Sequence, residues 1–145
     1  MWRFHSYFED ENQGDLSLDW PERGVFEEQL FLAVRALPLE VGLTEALQVF
    51  SGQINSHART PRWREGTLKV VDERVVEDAE GTPHEVWHIE VSFNDGSEPL
   101  VYDVSRDDAR TLVYHSGPGG FSLRLAKSVR WAYWSFGQPN PFGAE

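Results

Sequence analysis

Residues Trp2 to Phe8 alternate. Trp2, Phe4, Ser6 and Phe8 fall on one side and Arg3, His5 and Tyr7 on the other, the period of two expected of a half-buried strand. The polar run Glu9 to Asp19 ends it. Pro21 suits the first turn of a helix capped by Asp19 or Trp20, and Phe26, Leu30, Ala33 and Leu37 follow at i, i+4, i+7 and i+11. Taken alone, Leu30 to Ala36 reads equally well as an apolar strand, and Pro38 stops either version. Thr44 is placed to cap a second helix through Leu47 and Phe50, closed by Gly52, after which Ser56 to Gly66 reads as a basic loop.

The middle of the chain carries the clearest pattern. Leu68 to Val76 is rich in β-branched residues, and Glu80-Gly81-Thr82-Pro83 supplies a turn. Trp87, Ile89, Val91 and Phe93 then alternate with His88, Glu90 and Ser92. Asn94-Asp95-Gly96-Ser97 is hairpin punctuation, because Asp and Gly tolerate the backbone angles of tight turns. Leu100, Tyr102 and Val104 line the partner strand, so a three-stranded antiparallel meander is expected. Ser105 is positioned to cap a helix through Ala109, Leu112 and Val113 that ends in Ser116-Gly117-Pro118-Gly119-Gly120. The stretch Phe121 to Phe136 fits both periods; Leu125, Val129, Ala132 and Phe136 favour a helix. These elements predict one α+β domain over residues 1–137, an antiparallel sheet of about four strands with helices packed on one face, followed by an extended tail, 138–145.

Composition supports a folded domain. Nine Phe, six Trp and four Tyr supply bulky core material, and 145 residues suffice to bury roughly two thirds of the surface of the unfolded chain. The chain has no cysteine, which excludes disulfides, thiolate nucleophiles and Cys-based metal sites. No apolar leader precedes Glu9, and the longest apolar run, Leu30 to Val34, is too short to span a membrane, so a cytoplasmic protein without membrane association is expected.

Charge changes the picture most, because it is segregated. Residues 1–50 balance at −7 and residues 65–108 at −10, whereas residues 51–64 and 109–145 each balance at +3, within a net −11. Such a field steers basic partners in and repels nucleic acid from most of the surface.

Candidate chemistry is sparse. His84-Glu85-Val86-Trp87-His88 matches H-E-x-x-H, in which two His on one helical face ligate zinc and Glu serves as base. Here the string opens a strand, where four residues span ~13 Å, too far for zinc–nitrogen bonds of about 2.0 to 2.1 Å to converge. Asp10 to Asp15 lacks the register of a calcium loop, since Gly14 falls fifth and Pro21 twelfth. The glycines at 117–120 lack the Lys-Ser/Thr of a phosphate loop, and no Ser sits in a G-x-S-x-G elbow. Arg59, Arg62 and Arg64 with Trp63 have the composition that grips phosphate and stacks on bases, but internal pairing with acids of the same fold is the stronger expectation. Arg124, Lys127, Arg130, Trp131 and Trp134 pose the same choice between core and interface.

No catalytic residue, metal or cofactor is therefore assigned, and a binding role stands ahead of an enzymatic one. The expected function is a small acidic binding or inhibitory protein that occupies a basic protein partner, such as a toxin or the groove of a nuclease. In composition, though not by any motif, this parallels immunity proteins and nucleic-acid mimics. The contact residues expected are Asp72, Glu73, Glu77, Asp78, Glu90 and Asp103, together with Arg130 and Trp134. The alternatives are a metal-dependent hydrolase centred on His84, Glu85 and His88, and an assembly component using the aromatic C-terminal segment.

Overall fold

The alternating segments at the middle of the chain become the centre of a seven-stranded sheet. The computed structural model describes residues 2–8, 11–19, 21–51 and 62–128. Strands β1 (Trp2–Phe8) and β2 (Glu11–Leu18) form an antiparallel hairpin of their own. The main sheet runs in sequence order from β3 (Gly24–Phe26) through β4 (Thr44–Ser51), β5 (Arg62–Glu77), β6 (Pro83–Phe93), β7 (Leu100–Ser105) and β8 (Leu112–Gly117) to β9 (Phe121–Arg124). β3 pairs parallel with β4 and every other neighbour is antiparallel. One short helix, α1 (Leu30–Ala36), follows a 3-10 turn at Glu27–Gln29.

The core lies between α1 and one face of the sheet. Leu30, Val34 and Leu39 pack on Val49, Leu68, Val70, Ile89, Val91, Phe93, Leu100, Tyr102 and Val104, the inward members of four consecutive strands. The other face is polar except toward its two ends, where Val86 and Val113 are fully buried at one and Phe50 packs on Phe26 and Trp63 at the other. Beside Val113, Leu125 bridges two elements: its N–H donates to the Val113 carbonyl at 2.8 Å, and its carbonyl accepts from Ala79 N–H at 2.8 Å. A strap after β9 thus ties β8 to the β5–β6 turn.

The meander β5–β6–β7 agrees with the sequence pattern, but the expected α+β architecture of four antiparallel strands with packed helices is overturned. The sheet is mixed and larger, and among the described residues α-helix is confined to one short segment. Pro21 opens a turn, not a helix, and Gly24 continues into β3, where a side chain would not fit because a Cβ would sit 2.7 Å from the Trp63 ring. Thr44–Ser51 has helix-compatible residues, yet it is a strand. Burying Val49 against the core and Phe50 against Phe26 and Trp63, from opposite faces, outweighs intrinsic propensity. The supposed terminating run after Glu9 is β2 from Glu11 onward, ordered by main-chain pairing that its side-chain pattern does not advertise.

The expected helix after Ser105 is also replaced by a turn. Asp107 Oδ1 accepts from the Ala109 and Arg110 N–H groups at 3.0 and 3.1 Å and from Ser105 Oγ at 2.8 Å, the local competition by which Asp diverts the backbone from helix. Arg110 then takes φ 46°, and the chain leaves as β8. Its guanidinium donates to the Arg35 and Leu37 carbonyls at 2.6 and 2.5 Å, closing the C-terminus of α1, while Arg35 donates to the Ala109 carbonyl at 2.7 Å. Phe121–Arg124 is strand β9 and not the start of a helix; the part of that expectation from 129 onward lies outside the described residues.

Candidate functional site

Cross-strand register assembles one transverse row on the helix-free face: Asp72 of β5, His88 of β6, Asp103 of β7, Tyr114 of β8 and Arg124 of β9. His88 Nδ1 lies 2.6 Å from Asp103 Oδ1, with side chains only 9% and 5% exposed, and Nε2 lies 3.3 Å from Glu90 Oε1. Asp72 receives a two-pronged hydrogen bond from Arg74 at 2.9 and 2.8 Å, which holds its carboxyl below the usual range. The Arg124 guanidinium sits 5.1 Å from the Tyr114 ring centroid. A His–Asp pair is the orienting half of an acid–base dyad, but here the second imidazole nitrogen also faces a carboxylate and not a nucleophile. The row is a polar network aligned by strand register.

The two histidines of the H-E-x-x-H string both lie on β6 and serve different partners. His84 Nε2 lies 2.9 Å from Asp78 Oδ2, and Asp78 Oδ1 accepts from the Glu80 and Thr82 N–H groups, each at 2.9 Å. Asp78 is therefore the organiser of the β5–β6 turn, its carboxyl lowered first by His84 and then by the Thr82 amide. Glu85 projects from the opposite face of the strand. Among the described residues no group of three His, Asp or Glu is arranged to hold a metal ion.

The acids expected to form one contact surface are divided between two. A bulge in β5 between Val70 and Asp72 inserts Val71 and reverses the facing of everything after it. Asp72, Glu90 and Asp103 face the polar row. Glu73, Val75 and Glu77 turn to the side on which α1 lies, opposite Trp87, Glu85 and Pro83. This distal part of the hairpin extends beyond the core and carries Val75 at 64% and the Glu85 side chain at 77% exposure. Arg106 pairs with Glu73 at 3.0 Å and approaches Glu85 at 4.0 Å; Arg106 and Arg110 lie 5.9 and 5.8 Å from the Trp87 ring. The β-branched run of β5 has no clean alternation in sequence, so only the paired register sets Val75 between Glu73 and Glu77 and opposite Glu85. Arg130 and Trp134 lie outside the described residues.

The basic segment resolves toward internal pairing at Arg62 and Arg64. Arg64 is buried, donates to both Asp95 oxygens at 3.0 and 3.3 Å and to Ser97 Oγ at 2.5 Å, and lies 3.6 Å from the Phe93 ring centroid. Arg62 joins Asp95 at 3.0 Å. The Arg64 hydrogen bond, with help from Ser97, pulls the Asp95 carboxyl far below its usual range. Arg59 lies outside the described residues. Among the described residues no helix is long and apolar enough to cross a membrane. No protein-family profile, characterised protein or solved structure matches this chain.

Proposed function

We propose that this chain is a binding protein that docks a basic protein partner on the distal β5–β6 hairpin. The observation that carries the reading is Val75, 64% exposed and set among Glu73, Glu77 and Glu85. An apolar centre inside a charged rim is the anatomy of a protein contact, and the net charge of −11 favours rapid encounter with a cationic surface. Occupation of a nuclease or toxin groove is the narrower form of the same proposal, with the exposed carboxylates standing where phosphates would.

The test uses a panel of purified basic ribonucleases and deoxyribonucleases, with association followed by stopped flow and catalytic inhibition measured in parallel. Association with a responsive member should slow as added salt shrinks the Debye length from about 10 Å toward 3 Å. Changing Glu73, Glu77 and Glu85 together to Gln should reproduce that slowing at low salt, and Val75→Ala should mainly speed dissociation. Association indifferent both to salt and to the triple change removes the hairpin as the contact.

A further inference from the structure

Among the described residues, strand β4 is paired along only part of one edge. β5 covers all of it, from Thr44 opposite Lys69 to Ser51 opposite Arg62, whereas β3 reaches only Gln48, Val49 and Phe50. Gln48 N–H donates to the Arg23 carbonyl on the β3 side, and Val70 N–H donates to the Leu43 carbonyl on the β5 side. Backbone groups alternate in direction along a strand, so the N–H and C=O groups of Ala46 and Thr44 point, like those of Gln48, away from β5. Both residues are exposed.

The described residues before β3 leave this edge open. Gly24 N–H turns back to the Pro21 carbonyl at 3.2 Å, and Pro21 has no N–H to offer a ladder. The segment Pro21–Arg23 therefore peels away from the sheet just where β3 would continue. Between it and Ala46–Gln48 lies a cleft of about 410 Å³, whose remaining wall includes Glu65, Thr67 and Asn94. Glu65 accepts from the Asn94 side chain at 3.2 Å, which holds its carboxylate at the rim, and Glu22 stands exposed on the opposite lip. Thr44–Leu47 carries neither Lys nor Pro, the residues that commonly guard an open edge.

We propose that this cleft takes an extended peptide that adds as a strand to β4 beside Thr44 and Ala46. The peptide continues the line of β3 and places a Lys or Arg side chain between Glu22 and Glu65. Main-chain pairing supplies the affinity and the two carboxylates the preference, as in recognition by strand addition. The site is separate from the distal hairpin and does not depend on it.

The probe is an eight-residue peptide alternating Thr or Val with Lys, titrated into the full chain with ¹H–¹⁵N chemical shifts and amide exchange as readouts. The Ala46 and Thr44 amides should shift and gain protection from exchange. N-methylation of alternate peptide nitrogens should weaken binding at least tenfold, as should Ala46→Pro. Glu22→Lys with Glu65→Lys, two exposed positions, should lower affinity about tenfold in a chain that still folds, so the test survives if Ala46→Pro does not. Glu73, Glu77 and Glu85 changed to Gln should leave the Thr44 and Ala46 shifts in place, which separates this site from the hairpin contact. Binding of the N-methylated peptide as tightly as the parent, or shifts that spare Thr44 to Gln48 at millimolar peptide, overturns the proposal.

Discussion

His88 Nδ1 meets Asp103 Oδ1 at 2.6 Å across the β6–β7 ladder, and both side chains are shut away from solvent. A buried ionisable pair of this kind is costly to break from one side, because the survivor keeps its desolvation and loses its partner. The pair also explains why two polar residues lie beside the fully buried Val86 and Val113 without disrupting the fold.

Asp103→Ala should therefore lower unfolding free energy by about 3 kcal/mol in urea titration. His88→Ala in the same background should add little, giving a coupling of at least about 1 kcal/mol in a double-mutant cycle. Strictly additive losses would mean that the two side chains are held independently.

Acid sensitivity follows from three depressed carboxyls. Asp72, Asp78 and Asp95 each have a folded-state pKa below the ordinary value, through Arg74, His84 and Arg64 respectively. The unfolded chain then binds protons more readily, so their contribution is present above pH about 4 and is lost as pH falls through the folded values. Thermal melting between pH 6 and pH 2 should show the loss. The gap in melting temperature between the parent and Asp95→Asn should narrow toward pH 2; a gap independent of pH would count against the ion-pair origin.

Arg110 performs two tasks that separate by substitution. Its side chain closes the C-terminus of α1 on the Arg35 and Leu37 carbonyls, and its backbone holds φ at 46°. Arg110→Ala should cost on the order of 1 to 3 kcal/mol. Arg110→Gly loses the same hydrogen bonds but relieves a left-handed backbone by up to about 1 kcal/mol, so it should be the milder change in calorimetry.

Metal analysis checks the strand placement of His84 and His88. Protein dialysed against zinc and then against buffer should retain well under one equivalent, with no change on His84→Ala. Retention of one equivalent that depends on both histidines would require them to converge, against the extended geometry of β6.

What the sequence determined by itself is local. Alternation from Trp87 to Phe93 and from Leu100 to Val104, with Asn94-Asp95-Gly96 between them, specifies β6, β7 and their turn, because side-chain period and turn chemistry are properties of neighbouring residues. The same holds for the turn read at Glu80 to Pro83 and for the charge of the chain. Tertiary structure decided the rest. Thr44–Ser51, Leu112–Gly117 and Phe121–Arg124 are strands since adjacent strands complete their main-chain hydrogen bonds, information no local window holds. The bulge at Val71 decides which face each later residue of β5 takes, turning Asp72 to the polar row and Glu73 to the side of α1. His88 and Asp103, fifteen positions apart, meet only because the hairpin register sets them opposite each other, and Arg64 is buried only because Asp95, on a distant turn, supplies its counter-charge.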